Sequence, residues 1–303
     1  MSAQVTVVGE ALIDIVIPLD GPTAEHVGGS PANVAIGLAR LGHQTELATH
    51  IGTDQRGKRI ADLMAAESVA LTPGSQWAAR TPTAQATLDA AGVASYEFDL
   101  EWTLDPSLPV PAGSHVHTGS IAATLSPGGE AVLAIVRKAR ANSTVSYDPN
   151  ARPTLMGSPE QARPVIETLI RLSDVVKASD EDIAWLYPGQ DIADVLRGWA
   201  TEGPKVCAAT RGGSELLVLV AGELHRVPAS RVDVVDTVGA GDSFMSGFIS
   251  GLLDAGLLGG TDARERLATA TWEDIAPAAD RAMACAAITV SRAGANPPIR
   301  AEL

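Results

Sequence analysis

The densest run of potential chemistry in the 303-residue chain is Asp236-Thr-Val-Gly-Ala-Gly-Asp-Ser-Phe-Met-Ser-Gly-Phe248. Gly239, Ala240 and Gly241 can turn tightly enough to bring their N–H groups to one point. The helix expected beside them adds unsatisfied donors and the positive end of its dipole. Such a place holds an anion. Asp242 stands at the same helix start, where a carboxylate would repel one. Two readings are open. In one, Asp242 only complements the helix dipole. In the other, the anion is a phosphoryl group in transfer and Asp242 accepts the proton of the attacking hydroxyl, which requires base and anion hole to adjoin. Farther along, Ser243, Gly247 and Gly251 make a smooth stripe beside an apolar one of Phe244, Phe248 and Leu252, and this spacing assigns them to packing.

A second cluster is Val27-Gly-Gly-Ser-Pro-Ala-Asn33. Gly28 and Gly29 leave room for a ligand against bare backbone. Ser30 suits an N-cap and Pro31 the first helical position, and Asn33 can aim its amide into the same space. Asp14 lies in the apolar run Leu12 to Ile17 and is read as an interior polar residue that needs a partner. A carboxylate accepting two hydroxyls beside an amide suits a vicinal diol, although each residue alone is equally a cap or a turn former. His115 and His117 share one face of a strand without a third ligand at metal spacing, so both are read as structural. The dinucleotide, Walker A, serine-hydrolase elbow and zinc-protease motifs are all missing from the sequence.

These residues must be positioned by alternating elements. Strands are predicted at Val5 to Val8, Leu12 to Ile17, Glu46 to Ile51, around Val116, and at Thr144 to Tyr147, Val175 to Lys177 and Lys205 to Thr210. Helices are predicted from Ser30 to the stop at Gly42, then at Arg59 to Ala66, Gly129 to Ala141, Pro159 to Leu172, Asp180 to Leu186, Asp191 to Trp199, Gly241 to Leu253 and Pro277 to Val290. Two hairpins interrupt the rhythm: Ala84 to Leu88 with Val93 to Phe98 around the turn Asp89 to Gly92, and Glu215 to Val220 with Leu224 to Val227. The pattern predicts an α/β fold, a central mostly parallel sheet flanked by helices on both faces, with a small second sheet.

Composition bounds the function. Apolar residues make up 46%, which excludes disorder. With 22 basic and 36 acidic residues the net charge is −14, and only four of the basic residues are lysines. Nucleic acid and anionic membrane surfaces are therefore not expected partners. A local nest of N–H groups can still hold a small anion. Cys207 and Cys285 are too few and too far apart for a disulfide scaffold or a zinc cluster. The opening residues lack a basic n-region and a cleavage site, so a cytoplasmic location is expected.

Together the two clusters resemble the two signatures of the ribokinase-like (PfkB) carbohydrate kinase family. Gly28-Gly-Ser-Pro-Ala-Asn-Val-Ala-Ile-Gly-Leu-Ala-Arg-Leu-Gly42 is similar to the N-terminal one, and Asp236-Thr-Val-Gly-Ala-Gly-Asp-Ser-Phe244 to the C-terminal one. The resemblance implies a kinase that uses ATP and magnesium on a sugar hydroxyl, with a small β-sheet lid. Asp242 matches the family's general base, and Gly239, Ala240 and Gly241 its anion hole. Asp14, Gly28, Gly29 and Asn33 match its sugar contacts. Thr210, Gly212 and Gly213 match a nucleotide-side turn, and Gly294 with Ala295 should border adenine. Asp236, beside the backbone around Gly294, lies where many members hold a monovalent cation, commonly potassium.

One segment departs from the family. The usual Asn-x-x-Glu, which places magnesium through water, is here Ser179-x-x-Asp182, so Asp182 takes that role, or Glu181 in another register. Gly9-Glu-Ala-Leu-Ile-Asp14 and Asp148-Pro-Asn-x-Arg152 look most like the fructokinase and 2-keto-3-deoxygluconate kinase branches, with phosphorylation of fructose to fructose 6-phosphate favoured. Phe98, with Tyr96, would cover the sugar ring, and Arg152 either meets phosphate or lies on the surface. Residues 1–303 are expected to form a single kinase domain whose lid comes from about 10–27 and 83–100, closes over the sugar and pairs two chains into a homodimer. The rival reading is a non-catalytic sugar or nucleoside sensor, which would be expected to have lost Asp242 or the glycines; both are present.

Overall fold

The computed structural model describes residues 3–18, 20–88 and 94–303, apart from the side chains of 88 and 94–96. In chain order the first strands are β1 (Val5–Val8), β2 (Leu12–Ile17), β3 (Ala24–Gly28), β4 (Thr45–Ala48), β5 (Ile51–Gly52), β6 (Val69–Leu71) and β7 (Gln76–Ala78). They are followed by β8 (Thr83–Leu88), β9 (Ala94–Asp99), β10 (His115–Gly119), β11 (Thr144–Asp148), β12 (Val175–Ser179), β13 (Val206–Arg211), β14 (Glu215–Val220) and β15 (Glu223–Pro228). The helices are α1 (Ser30–Arg40), α2 (Gln55–Ala66), α3 (Gly128–Asn142), α4 (Pro153–Met156) and α5 (Pro159–Leu172). After them come α6 (Asp180–Leu186), α7 (Ile192–Glu202), α8 (Ala240–Asp254), α9 (Ala263–Ala268) and α10 (Trp272–Val290).

The central sheet has nine strands in the order β15-β14-β13-β12-β11-β10-β1-β4-β6. Every pairing from β6 to β13 is parallel, and β14 and β15 add an antiparallel hairpin at the edge. Parallel strands buried on both faces read as β-branched, mainly apolar runs, as the buried Val5-Thr-Val-Val8 does. The chain leaves β1 for β4 and β6 on one side and resumes at β10 on the other, so the order reverses at β1. A crevice opens there at the carboxyl ends of the strands. Alternation along β12 sends Val175 into the core beneath α1, α8 and α10, and Val176 and Ala178 into the core beneath α3, α5 and α7.

The accessory sheet has the order β3-β2-β8-β9 and forms the lid. Its registers place His26, Asp14, Ala84 and Phe98 in one row across it. Ile13 and Ile15, on the opposite face, join the main core and tether the sheet. The expected turn Asp89 to Gly92 and strand residue Val93 lie outside the described residues, as does the side chain of Tyr96.

Several boundaries differ from the expectations for identifiable reasons. The run Glu46 to Ile51 divides into β4 and β5, which belong to different sheets. Helix α2 begins at Gln55, four residues early, because the Asp54 side chain caps it by accepting from Gly57 N–H. Helix α10 begins at Trp272, where Thr271 and Asp274 form a capping box, and Pro277 sits inside it. The short elements β3, β6, β7, α4 and α9 escaped the periodicity.

Helix α8 is buried on nearly all sides, and its predicted stripe packs on α10. Ser243 Oγ donates to Cys285 O (3.0 Å), and a Cβ on Gly251 would stand 2.5 Å from Ala278 Cα. Gly251→Ala is therefore expected to destabilise the fold by about 1–3 kcal/mol through overpacking. This outcome, read from urea unfolding, runs against the helix preference for alanine of about 1 kcal/mol.

Candidate active site

Helix α8 starts from Gly239, whose φ of +74° is left-handed and where a Cβ would lie 2.5 Å from that of Ala295. Ala240 N–H donates back to Thr237 O (3.3 Å) within the turn, and the next helical N–H groups, at Gly241 and Asp242, lie at the positive end of the dipole. Asp242 is 8% exposed. Its Oδ1 accepts from Ser30 Oγ at 2.6 Å and its Oδ2 from Asn33 Nδ2 at 2.8 Å. Both donors come from the first turns of α1, so the starts of two helices meet on one carboxylate.

This meeting changes the role predicted for Ser30. The cap residue of α1 is Gly29, with no side-chain cap, and the Ser30 hydroxyl crosses to Asp242 instead. Gly29 has φ +108°, and a Cβ there would stand 2.5 Å from the Glu10 carbonyl oxygen, so only glycine fits. Asn33 also turns its amide toward Asp242.

Asp14 is not interior, as the strand's apolar character suggested. It is exposed, because β2 belongs to a sheet with one face on the core: Ile13 and Ile15 take that face and Asp14 takes the other. A Cβ on Gly28 would run into its carboxylate, so that glycine makes room for Asp14 as well as for a ligand. Lost hydration raises the Asp14 pKa, while His26 and Arg152 act to lower it. Phe98 is half-buried on the same sheet face.

Glu10, at the end of β1, is buried and accepts the Ala122 N–H at Oε2 (3.2 Å). Burial pushes its pKa up to about 7, against the pull of Ser120, backbone donors and Arg152. Arg152 thus acts on both Glu10 and Asp14. Two non-glycine residues with positive φ, Ser120 at +56° and Asn150 at +37°, end the neighbouring strands β10 and β11, where strained backbone commonly marks a functional crevice.

On the other side of Asp242, the Lys177 ammonium donates to Asp148 Oδ2 at 2.7 Å, and both side chains are buried. Burial alone would discharge Lys177, but Asp148, Asp182 and Asp242 raise its pKa above the ordinary lysine value. Thr210 pairs with Ser179 across β12 and β13. Gly212 and Gly213 follow in the β13–β14 turn, each with open space where a side chain would stand. Asp236 accepts from Val238 N–H (3.0 Å) and Gly294 N–H (2.8 Å), which brings the two ends of the expected cation site together and lowers the Asp236 pKa.

The residues expected at magnesium are otherwise engaged. Asp182 Oδ1 accepts from Ala151 N–H (2.7 Å), and its Oδ2 from Ser179 N–H (2.8 Å) in the capping box of α6. Glu181 is exposed. No group of three or more His, Cys, Asp or Glu among the described residues could hold a metal ion. No cluster for directly ligated magnesium is thus present among the described residues; the role expected of Asp182 is contact through water. His115 and His117 bond to Thr144 and Ser146 within the core, where burial lowers both pKa values to about 3.

A family model described as pfkB family carbohydrate kinase matches residues 2–302. The chain belongs to that family. The reaction of this pfkB kinase is therefore ATP-dependent phosphorylation of a sugar. A fructokinase of Escherichia coli is 32% identical over 317 aligned residues, covering 100% of this chain and 99% of the relative. A fructokinase of Klebsiella pneumoniae is 32% identical, covering 85% and 87%. The crystal structure of Vibrio cholerae fructokinase with fructose, ADP and calcium superimposes with a TM-score of 0.80 at 25% identity, covering 97% of this chain and 94% of that one. No helix among the described residues is long and apolar enough to cross a membrane.

Three charged groups of the pfkB kinase crevice were absent from the sequence-derived site: Glu10, Asp148 and Lys177. The signal that singled out Asp14, a charge inside an apolar strand, was equally present in Val175-Val-Lys-Ala178. Glu10 carries a testable consequence. Its pKa rises from 4.5 in the ordinary carboxyl to about 7 in the fold, so the unfolded chain ionises first as pH increases. Its favourable contribution is complete below about 4.5 and disappears as pH climbs through about 7. Wild type should therefore lose up to about 3 kcal/mol of stability relative to Glu10→Gln between about pH 5 and pH 8. Denaturant melts of both proteins across that range check the sign and the window.

Proposed function

We propose that this kinase phosphorylates fructose to fructose 6-phosphate, with Asp242 as general base and the N–H groups of Gly239, Ala240 and Gly241 as anion hole. The observation that carries the reading is Asp242 itself, a buried carboxylate at a helix start, aimed by Ser30 and Asn33. The fructokinase relatives supply the choice of sugar. Asp14, Gly28, Gly29 and Asn33 line the sugar side, and Phe98 covers the ring from the lid. Thr210, Gly212, Gly213 and Gly294 line the nucleotide side.

In this reading the sugar hydroxyl gives its proton to Asp242 as its oxygen attacks the γ-phosphorus, and ADP leaves with the electrons of the broken P–O bond. The transition state spreads charge over the phosphoryl oxygens, and the fixed N–H donors meet it without reorganising. Magnesium would travel with the nucleotide phosphates and screen their charge, with Asp182 reaching it through water. A monovalent cation would sit by Asp236 and the Gly294 backbone. The lid strands would close over the sugar to exclude water. Strands β3 and β9 each pair on one side only among the described residues, and the proposal extends to two chains joining there.

A panel of hexoses, pentoses, 2-keto-3-deoxygluconate and nucleosides, assayed for ADP release, should give its highest kcat/KM with fructose. A preference for 2-keto-3-deoxygluconate would move the substrate to that branch of the family, and binding of a sugar without turnover would favour a sensor. Asp242→Asn keeps the side chain's size and removes the proton acceptor, so kcat should fall about 10²–10⁴-fold. The KM should barely change, because the lost interaction belongs to the transition state. Near-normal turnover would return Asp242 to a capping role.

A further inference from the structure

The position of Lys177 is anomalous on electrostatic grounds. A cation is unfavourable at the positive end of a helix. Yet a Cβ on Gly241, the second residue of α8, would stand only 3.4 Å from Lys177 Nζ. The ammonium is therefore under the turn that forms the anion hole. Its side chain is 4% exposed, and among the described residues Asp148 is its one side-chain hydrogen-bond partner. An ammonium has three donors, so two remain to be satisfied in a place closed to bulk water. A purely structural lysine would be expected to find more acceptors, or to reach the surface.

We propose that Lys177 is a catalytic residue of the phosphoryl transfer, a charged donor that completes the anion hole beneath Gly241. This rests on the reading of Gly239–Gly241 as that hole. The charge arithmetic supports it. Without a phosphoryl group, Asp148 balances the ammonium at 2.7 Å. With Nζ beneath Gly241, the two donors not used by Asp148 are left for the side of α8, where in the proposed reaction the equatorial oxygens of the phosphoryl group carry charge during transfer. Lys177 exchanges no proton: the sugar hydroxyl proton goes to Asp242, the new P–O bond forms to the sugar, and ADP takes the electron pair of the old one. Its position on β12 is imposed by the sheet, since Val176 and Ala178 face the opposite core and leave residue 177 facing α8.

The test compares Lys177→Met with wild type, and also Lys177→Met placed in an Asp148→Asn background with Asp148→Asn alone. The second pair contains no buried uncompensated carboxylate at 148 but leaves the ammonium unpaired in Asp148→Asn, so urea melts of all four proteins establish that each is folded before rates are compared. In both pairs the methionine should lower kcat about 10²–10³-fold, the cost of one oxyanion-hole donor, with the KM for the sugar almost unchanged. Each protein is also titrated with ADP alone, then with ADP, aluminium fluoride and whichever panel sugar the wild type turns over best. ADP should bind equally to all four, while trapping of the planar phosphoryl mimic should be lost with Lys177. A structural lysine would shift ADP binding and trapping together, or neither. Gly239→Ala separates the two readings: trapping lost there but kept in both lysine variants overturns the role of Lys177 alone. Trapping kept in all of them overturns the anion-hole reading and this proposal with it.

Discussion

A single carboxylate ties the molecule together. Asp242 begins α8 and takes one hydrogen bond from Ser30 and one from Asn33, residues more than two hundred positions earlier in the chain. Those bonds can form only if α1 and α8 lie side by side on the same face of the sheet. That in turn requires α8 to be smooth enough to pack closely on α10, and Gly29 to turn sharply past the Glu10 carbonyl. The Asp242 junction is thus a packing constraint as much as a chemical one. It explains why the two glycine clusters, unrelated in local sequence, form one crevice.

Around that junction, charges are placed in opposition. Lys177 has Asp148, Asp182 and Asp242 acting on it, and Asp148 is raised to about 6 by its burial and by the neighbouring carboxylates despite the lysine. Removing either member of the buried Lys177–Asp148 pair would leave the other uncompensated, at a cost of about 3–5 kcal/mol. Toward the lid, the Arg152 charge acts to lower the pKa of both Glu10 and Asp14 against the stronger effect of burial. A strongly acidic protein thereby keeps two local cations at the crevice where an anion is handled. Net charge decides neither site.

The lid follows a different rule. Only one of its faces joins the core, so its strands alternate, and the open face carries His26, Asp14, Ala84 and Phe98. The central sheet buries both faces and cannot offer side chains to a ligand except at its strand ends, where Glu10, Ser120, Asp148 and Ser179 lie. The proposed placing of sugar contacts on a one-sided sheet and phosphoryl chemistry at the edge of a two-sided one follows from these two architectures.

Local sequence was enough to show the alternation of strands and helices, the two hairpins, the small-residue stripe on α8, and the glycine turn that places Asp242 at a helix start. These depend on propensity, periodicity and capping, which act over a few residues. Even there the longer periodic runs mask the short strands, the Asp54 cap of α2 and the capping box of α10. The sequence also contained Lys177 in its apolar strand, Glu10 after β1 and Ser30 before Pro31, but not what each of them touches. Whether Ser30 caps its own helix or reaches Asp242 depends on where α8 lies. Whether Lys177 reaches the surface or the underside of Gly241 depends on strand order and on which face of β12 it takes. A polar side chain chooses its partner from whatever the folded chain brings within about 3 Å, and that neighbourhood is set by the crossing of distant elements.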